Sequence, residues 1–180
     1  FPRIEGQIPI YYNHNNTGHP ASDESWVRMY DIPVKAWQTS LGNTNHYLDY
    51  GFEPLFEFGY GLSYTNFKYS DIQLSSNSIT RSDSIVISAK LKNTGNFEAE
   101  EVAQLYIRDL VGSIVRPVKE LKGFKRIKLK PGEEQIVEFT IHPQDLKFHN
   151  GNDWVIEKGE FDVWIGGSSK ATLKSVFELK

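Results

Sequence analysis

From Thr65 onward the chain alternates apolar and polar residues with a period of two, segment after segment, and turn chemistry closes each segment. In "SIVISAKLK" (84–92), Ile85, Ile87, Ala89 and Leu91 share one parity, and Ser84, Ser88, Lys90 and Lys92 share the other. Side chains point to opposite faces at successive positions of a strand, so this pattern specifies a strand buried on one face. "NTGN" (93–96) supplies a turn. "EEVAQLYIRD" (100–109) reads as the next strand, with Ala103, Leu105 and Ile107 inward and Val102, Gln104 and Tyr106 outward. Two strands flank Pro131 and Gly132, the second burying Val137, Phe139 and Ile141. Phe161, Val163 and Ile165, then Leu173 and Phe177, continue the pattern. The leading strand "FKYSDIQLS" (67–75) changes apolar parity between Tyr69 and Ile72, which predicts a β-bulge or a change of sheet.

About seven short strands without a long helical period call for a mostly β chain, an antiparallel sandwich of immunoglobulin or fibronectin type III style. The chain holds no cysteine, so the disulfide of antibody domains has no counterpart. Residues 1–64 differ: aromatics, Asn, Pro and Gly dominate and periodicity is lost. "SWVRMYDIPVKAW" (25–37) admits a helical turn or two before Pro33 interrupts it. At 180 residues, with 39% apolar and 13% aromatic content, the chain suits one domain plus an appendage. The start at Phe1, without Met or a signal-type h-region, leads to the expectation of a segment of a longer polypeptide.

A net charge of −3 gives no general pull toward nucleic acid or anionic membrane. No apolar run approaches the ~20 residues of a membrane-spanning helix. The basic run "KELKGFKRIKLK" (119–130) reads as one solvated strand face. The five histidines are scattered, and His14 and His19 lack further ligands at metal-binding spacing, so no metal or other cofactor is expected. Asp23, Glu24, Asp31, Asp49, Glu53 and Glu57 crowd the first half and read mostly as solvated loop charges. Asn15, Asn16 and Thr17 match an N-glycosylation pattern at chance level. "FEFGYGLSYT" (56–65) concentrates four aromatics and two glycines in one connector. Such rings stack on sugar faces or fill a joint between domains, and the joint is the stronger reading. Gly59 and Gly61 would permit positive φ or close backbone approach there.

Five blocks give these residues a resemblance: "GQIPIYYNHNNTGHP", "PLFEFGYGLSYTNF", "NTGNFEAEEVAQLYIRD", "IVRPVKELKGFKRIKLKPGE" and "GEFDVWIGGSS". In this order they are similar to the C-terminal end of family 3 glycoside hydrolases of the bacterial β-glucosidase type, over nearly the whole chain. The resemblance implies an upstream barrel carrying an aspartate nucleophile and an α/β sandwich domain carrying the acid/base, so no catalytic residue is expected in this chain. It implies that residues 1–64 are the tail of the α/β domain plus a connector, with residues 8–12 as its closing strand. Residues 65–180 would be the fibronectin type III-like sandwich. Tyr47, Asp49 and Tyr60 are the substrate-binding candidates it suggests, for an oligosaccharide or aryl β-glycoside. It implies a periplasmic or secreted enzyme. His46 stands where the family commonly has Arg, and Glu57 where it commonly has Pro. The rival reading is an autonomous carbohydrate-binding module, for which Trp154 and Trp164 would supply exposed rings.

Overall fold

The computed structural model describes residues 1–15, 29–35 and 51–180. Strands β1 (Phe67–Leu74), β3 (Ile85–Asn93) and β6 (Glu134–Ile141) form an antiparallel sheet in the order β1-β3-β6. A second sheet holds β2 (Ser78–Ile79), β4 (Ala99–Asp109), β5 (Glu120–Leu129), β9 (Gly159–Gly166) and β10 (Leu173–Leu179), in the order β2-β10-β9-β4-β5. Only the short β2 runs parallel to its neighbour. A two-stranded ladder of β7 (Phe148–His149) and β8 (Trp154–Val155) stands apart from both sheets. Helical structure among the described residues is limited to three single 3-10 turns. One of them, Met29–Asp31, falls inside the stretch expected to hold a helical turn.

The two sheets close on the parity set read from the sequence. Ile85, Ile87 and Ala89 of β3 and Val137, Phe139 and Ile141 of β6 face Ala103, Leu105, Ile107, Phe161, Val163 and Ile165. Phe161 and Phe177 stack at 5.3 Å between ring centroids in the middle of this core. Burying one such side chain contributes about 1.5–3 kcal/mol, which is what fixes strand register against a one-residue slip.

The parity change in β1 is a bulge. Register moves between Ser70 and Gln73, and Asp71 takes a left-handed conformation at φ 55°. The extra residue turns both Tyr69 and Ile72 toward the core. A second irregularity pairs Leu105 with Gly123 but Tyr106 with Leu121, which leaves Lys122 as the extra residue of β5.

The β3–β4 turn crosses from one sheet to the other around buried Asn93. Its amide donates to the carbonyls of Phe97 (2.7 Å) and Leu129 (3.0 Å), and its Oδ1 accepts from Thr65 Oγ1 (2.6 Å) and Gly95 N–H (3.1 Å). The four bonds meet every polar demand of a buried amide, so the site costs little in desolvation.

The outward faces of the two sheets differ. That of the three-stranded sheet carries Lys90, Lys92, Glu134 and Glu138 and is solvated. On the five-stranded sheet Gln104 and Tyr106 are outward in parity yet buried, Tyr106 completely. The alternation read for β4 holds, but the connector lies over its outward side at Gln104 and Tyr106 and closes them to water. Residues 8–12, expected as a closing strand, form no ladder in this chain. A strand needs a neighbour to take its N–H and C=O groups, and among the described residues none pairs with this segment.

Candidate functional site

The covered face of the five-stranded sheet is the most developed polar and aromatic constellation among the described residues. Two stretches of residues 1–64 reach it. In the first, Tyr12 stacks on Phe58 (4.2 Å, 18° between planes) and meets Tyr106 edge-on at 5.9 Å. Its hydroxyl accepts from Leu121 N–H at 3.4 Å. Two residues further on, Val118 N–H donates to His14 C=O at 2.9 Å, and Asn15 bridges Pro117. In the second, Ser169 N–H in the β9–β10 turn donates to Phe58 C=O at 2.9 Å, and Ser168 Oγ donates to Glu57 Oε1 at 3.0 Å.

Gly59 makes this approach possible. Its φ is +81°, and a Cβ there would overlap the Gln104 amide. Gln104 accepts from Tyr106 Oη (2.5 Å) and donates to the carbonyls of Gly167 (2.5 Å) and Gly59 (3.4 Å). Gly61 differs: a Cβ there would meet nothing, and its φ is not positive. Of the two glycines expected to need backbone freedom, only Gly59 does.

Lys119 lies under the joint rather than on a solvated strand face, which corrects that part of the basic run. Its Nζ donates to the carbonyls of Ser169 (2.7 Å) and Ala171 (3.2 Å) and stands 4.5 Å from the Trp164 ring centroid. Burial pushes its pKa down to about 8. The aromatic face and the two carbonyls are what hold a desolvated ammonium in place.

Glu53 and Glu57 are partly exposed loop carboxylates that are nonetheless paired. Glu53 pairs with Lys170, and Glu57 takes the Ser168 hydroxyl, so both carboxylates clamp the connector to the β9–β10 turn. A further tie runs from Gln7, whose amide donates to Gly51 C=O at 3.3 Å and whose Oε1 accepts from Arg3 N–H at 2.6 Å. A groove of about 1800 Å³ opens between the two stretches, lined among others by Ile10, Tyr12, Phe52, Phe58, Tyr60 and Lys119. Beside it a smaller cavity of about 610 Å³ enters the mouth of the sandwich at Tyr69, Glu101 and Gly167.

Of the three substrate-binding expectations, Tyr47 and Asp49 lie outside the described residues, as do His19 and His46. Tyr60 is on the outer side of the connector, half exposed, its ring stacked on Phe56 at 5.0 Å. Phe56, Tyr60, Leu62 and Tyr64 form an exposed apolar strip, Leu62 and Tyr64 almost fully in solvent. Among the described residues no cluster of His, Asp or Glu is arranged to hold a metal. Trp154 and Trp164 do not share a face. Trp154 sits on the separate β7–β8 ladder, and Trp164 lies under Lys119 and Lys174. The residues that build the joint from the sandwich side, Gln104, Tyr106 and Lys119, escaped the sequence reading. Their signal was chemical: an amide and a large aromatic two residues apart on what should have been a solvated strand face.

A two-sheet β-sandwich with an aromatic connector packed over the outward side of its larger sheet defines a β-sandwich domain of fibronectin type III style. Residues 101–169 match the model of the fibronectin type III-like domain. Over 180 residues the chain is 43% identical to the periplasmic beta-glucosidase of Salmonella typhimurium, covering 99% of this chain and 22% of that protein. It is 46% identical to a beta-xylosidase of Formosa agariphila, over 98% of this chain and 22% of that one. The crystal structure of a Listeria innocua beta-glucosidase in complex with laminaribiose superposes with a TM-score of 0.83 at 35% identity, covering 100% of this chain and 23% of that one. The chain belongs to the family 3 glycoside hydrolases of the β-glucosidase type and corresponds to their C-terminal portion with its fibronectin type III-like domain. It spans about a fifth of the length of the curated relatives it matches.

Proposed function

We propose that the chain is the C-terminal part of a retaining β-glycosidase that removes terminal β-linked sugars, with glucosides as the first substrates to test. In such an enzyme a carboxylate attacks the anomeric carbon, an acid protonates the leaving oxygen, and water releases the sugar. Both carboxyl groups belong to polypeptide outside these 180 residues, and this portion serves as a buttress. The observation that carries the reading is the joint. Residues 1–15 and 51–61 are clamped to the five-stranded sheet through Tyr12, Phe58 and Gly59, while Leu62 and Tyr64 are almost fully exposed and the stacked Phe56 and Tyr60 about half so. An exposed apolar strip of this kind marks an interaction surface, and the remainder of a family 3 enzyme is its occupant.

The boundary lies at residues 64 and 65, with residues 1–64 as the tail of the α/β domain plus connector. Tyr47, Asp49 and Tyr60 belong to the wall of the sugar channel, and the compartment is periplasmic or extracellular, in keeping with the relative named for the periplasm. The test is an assay of the 180-residue chain and the full-length protein on an aryl β-glucoside and an aryl β-xyloside. Turnover by the full-length protein and none by the chain is expected. Turnover by the chain alone would overturn the placement of catalysis. In the full-length protein Tyr60→Ala should raise KM several-fold with a smaller change in kcat.

A further inference from the structure

Loops ordinarily turn charge outward and tuck their apolar side chains in. The β4–β5 loop does the reverse. Leu110, Val111, Ile114 and Val115 are exposed, Val111 at 77% and Val115 at 61%, while the charged residues at its base are buried. Asp109 and Arg116 form an ion pair of 3.4 Å with side chains 3% and 6% exposed. Arg116 also reaches Glu120 Oε2 at 3.3 Å and lays its guanidinium 4.4 Å from the Phe148 ring centroid.

The loop is pinned along its length as well. Asp109 Oδ1 accepts Val111 N–H (3.2 Å), Leu110 N–H donates to Glu160 C=O (3.1 Å), and Ser113 N–H donates to Glu157 Oε2 (2.8 Å). Holding a loop of four outward apolar side chains rigid costs conformational entropy and leaves apolar surface wet, and neither cost is recovered among the described residues. Recovery requires a partner, and a preorganised surface binds with less of that entropy still to lose.

The geometry points to residues 110–115 as a second docking knuckle, seated in an apolar depression on the remainder of the same family 3 polypeptide. Continuity with the joint argues for that occupant. Asn15 bridges Pro117 and Val118 N–H donates to His14 C=O, so the connector runs directly alongside the knuckle. The length argues likewise, since the relatives carry some four-fifths of their chain outside the matched portion. The inference rests on the reading of the chain as part of a larger glycosidase and adds a contact which that reading does not require.

The test places the photo-crosslinking residue p-benzoylphenylalanine, one position at a time, at Val111, Val115, Phe56 and Ile136 of the full-length protein. Irradiation and peptide mapping then identify the partner. Val111 and Val115 are well exposed, so neither replacement disturbs the core. Links from either position to residues of the same polypeptide outside these 180 are expected. Ile136, on the opposite and solvated sheet, should give none. Links from Phe56 but from neither Val111 nor Val115 would overturn the knuckle and leave the buttress standing. Silence at all of these positions would overturn both. A link from Val111 to a second copy, or to residues within these 180, would overturn the knuckle.

Discussion

The hydroxyl of Tyr69 in β1 donates a 2.9 Å hydrogen bond to Glu101 Oε1 in β4, joining the two sheets at the mouth of the sandwich beside Gly167. Burial raises the Glu101 pKa, with the Tyr69 bond pulling the other way, and burial together with the Glu101 charge raises that of Tyr69. A carboxyl whose folded pKa lies above its unfolded value binds more protons in the native state. It therefore opposes folding at neutral pH and ceases to do so as pH falls below the unfolded value. Glu101→Gln keeps an acceptor for Tyr69 and removes that charge. The variant should be more stable than the parent at pH 7, with the difference closing toward pH 4 in paired thermal melts. Tyr69→Phe should destabilise by about 1–3 kcal/mol, the cost of leaving a half-buried carboxylate without its donor.

Lys119 gives the opposite sign on the alkaline side. A lysine whose folded pKa is lowered to about 8 sheds its proton first in the native state. The cost of burying its charge is therefore present below that pH and is relieved as pH rises toward the unfolded value. Lys119→Met keeps the stem against Trp164 and loses the bonds to Ser169 and Ala171. The stability difference, parent minus variant, should rise between pH 8 and pH 10 in chemical denaturation. A flat difference would show the ammonium to be solvated.

Gly59 and Gly61 separate two roles within three residues. Gly59→Ala forces a left-handed backbone on a residue with a side chain and drives its Cβ into the Gln104 amide, which Tyr106 and Gly167 hold in place. It should cost about 1–3 kcal/mol. Gly61→Ala should fall within about 0.5 kcal/mol of the parent or slightly above it, since nothing stands near its Cβ. Amide exchange at Ser169, bonded to Phe58, should speed up in the first variant and not in the second.

Arg116→Ala removes the charge facing Asp109 in a site closed to water. Burial already raises the Asp109 pKa against the pull of Arg116, and without that partner the carboxylate is left uncompensated. A loss of about 3–5 kcal/mol is expected at pH 7. Acid should recover part of it by protonating Asp109, and urea melts at pH 5 and pH 7 would show whether it does.

The strand half of the chain was legible because a strand with one buried face must alternate. Ile85, Ile87, Ala89 and Leu91 could be placed without coordinates, and the parity change between Tyr69 and Ile72 announced a bulge or a change of sheet, which is the bulge that holds the left-handed Asp71. The joint was legible only in part. "FEFGYGLSYT" declared a connector rich in rings, but its partners on the other side looked ordinary in sequence. Gln104 and Tyr106 sit at outward positions of β4 and Lys119 immediately before β5, where local pattern assigns solvent.

Local alternation therefore determined the two sheets and their shared core, because burial on a pleated surface is read at every second residue. Only the tertiary structure decided which outward face stays wet. That choice depends on Tyr12 and Phe58, 87 and 41 residues before the start of β4, folding back over Tyr106. Contacts between segments so far apart leave no periodic trace, since each residue satisfies its own local rule and the pairing appears only when the chain is closed.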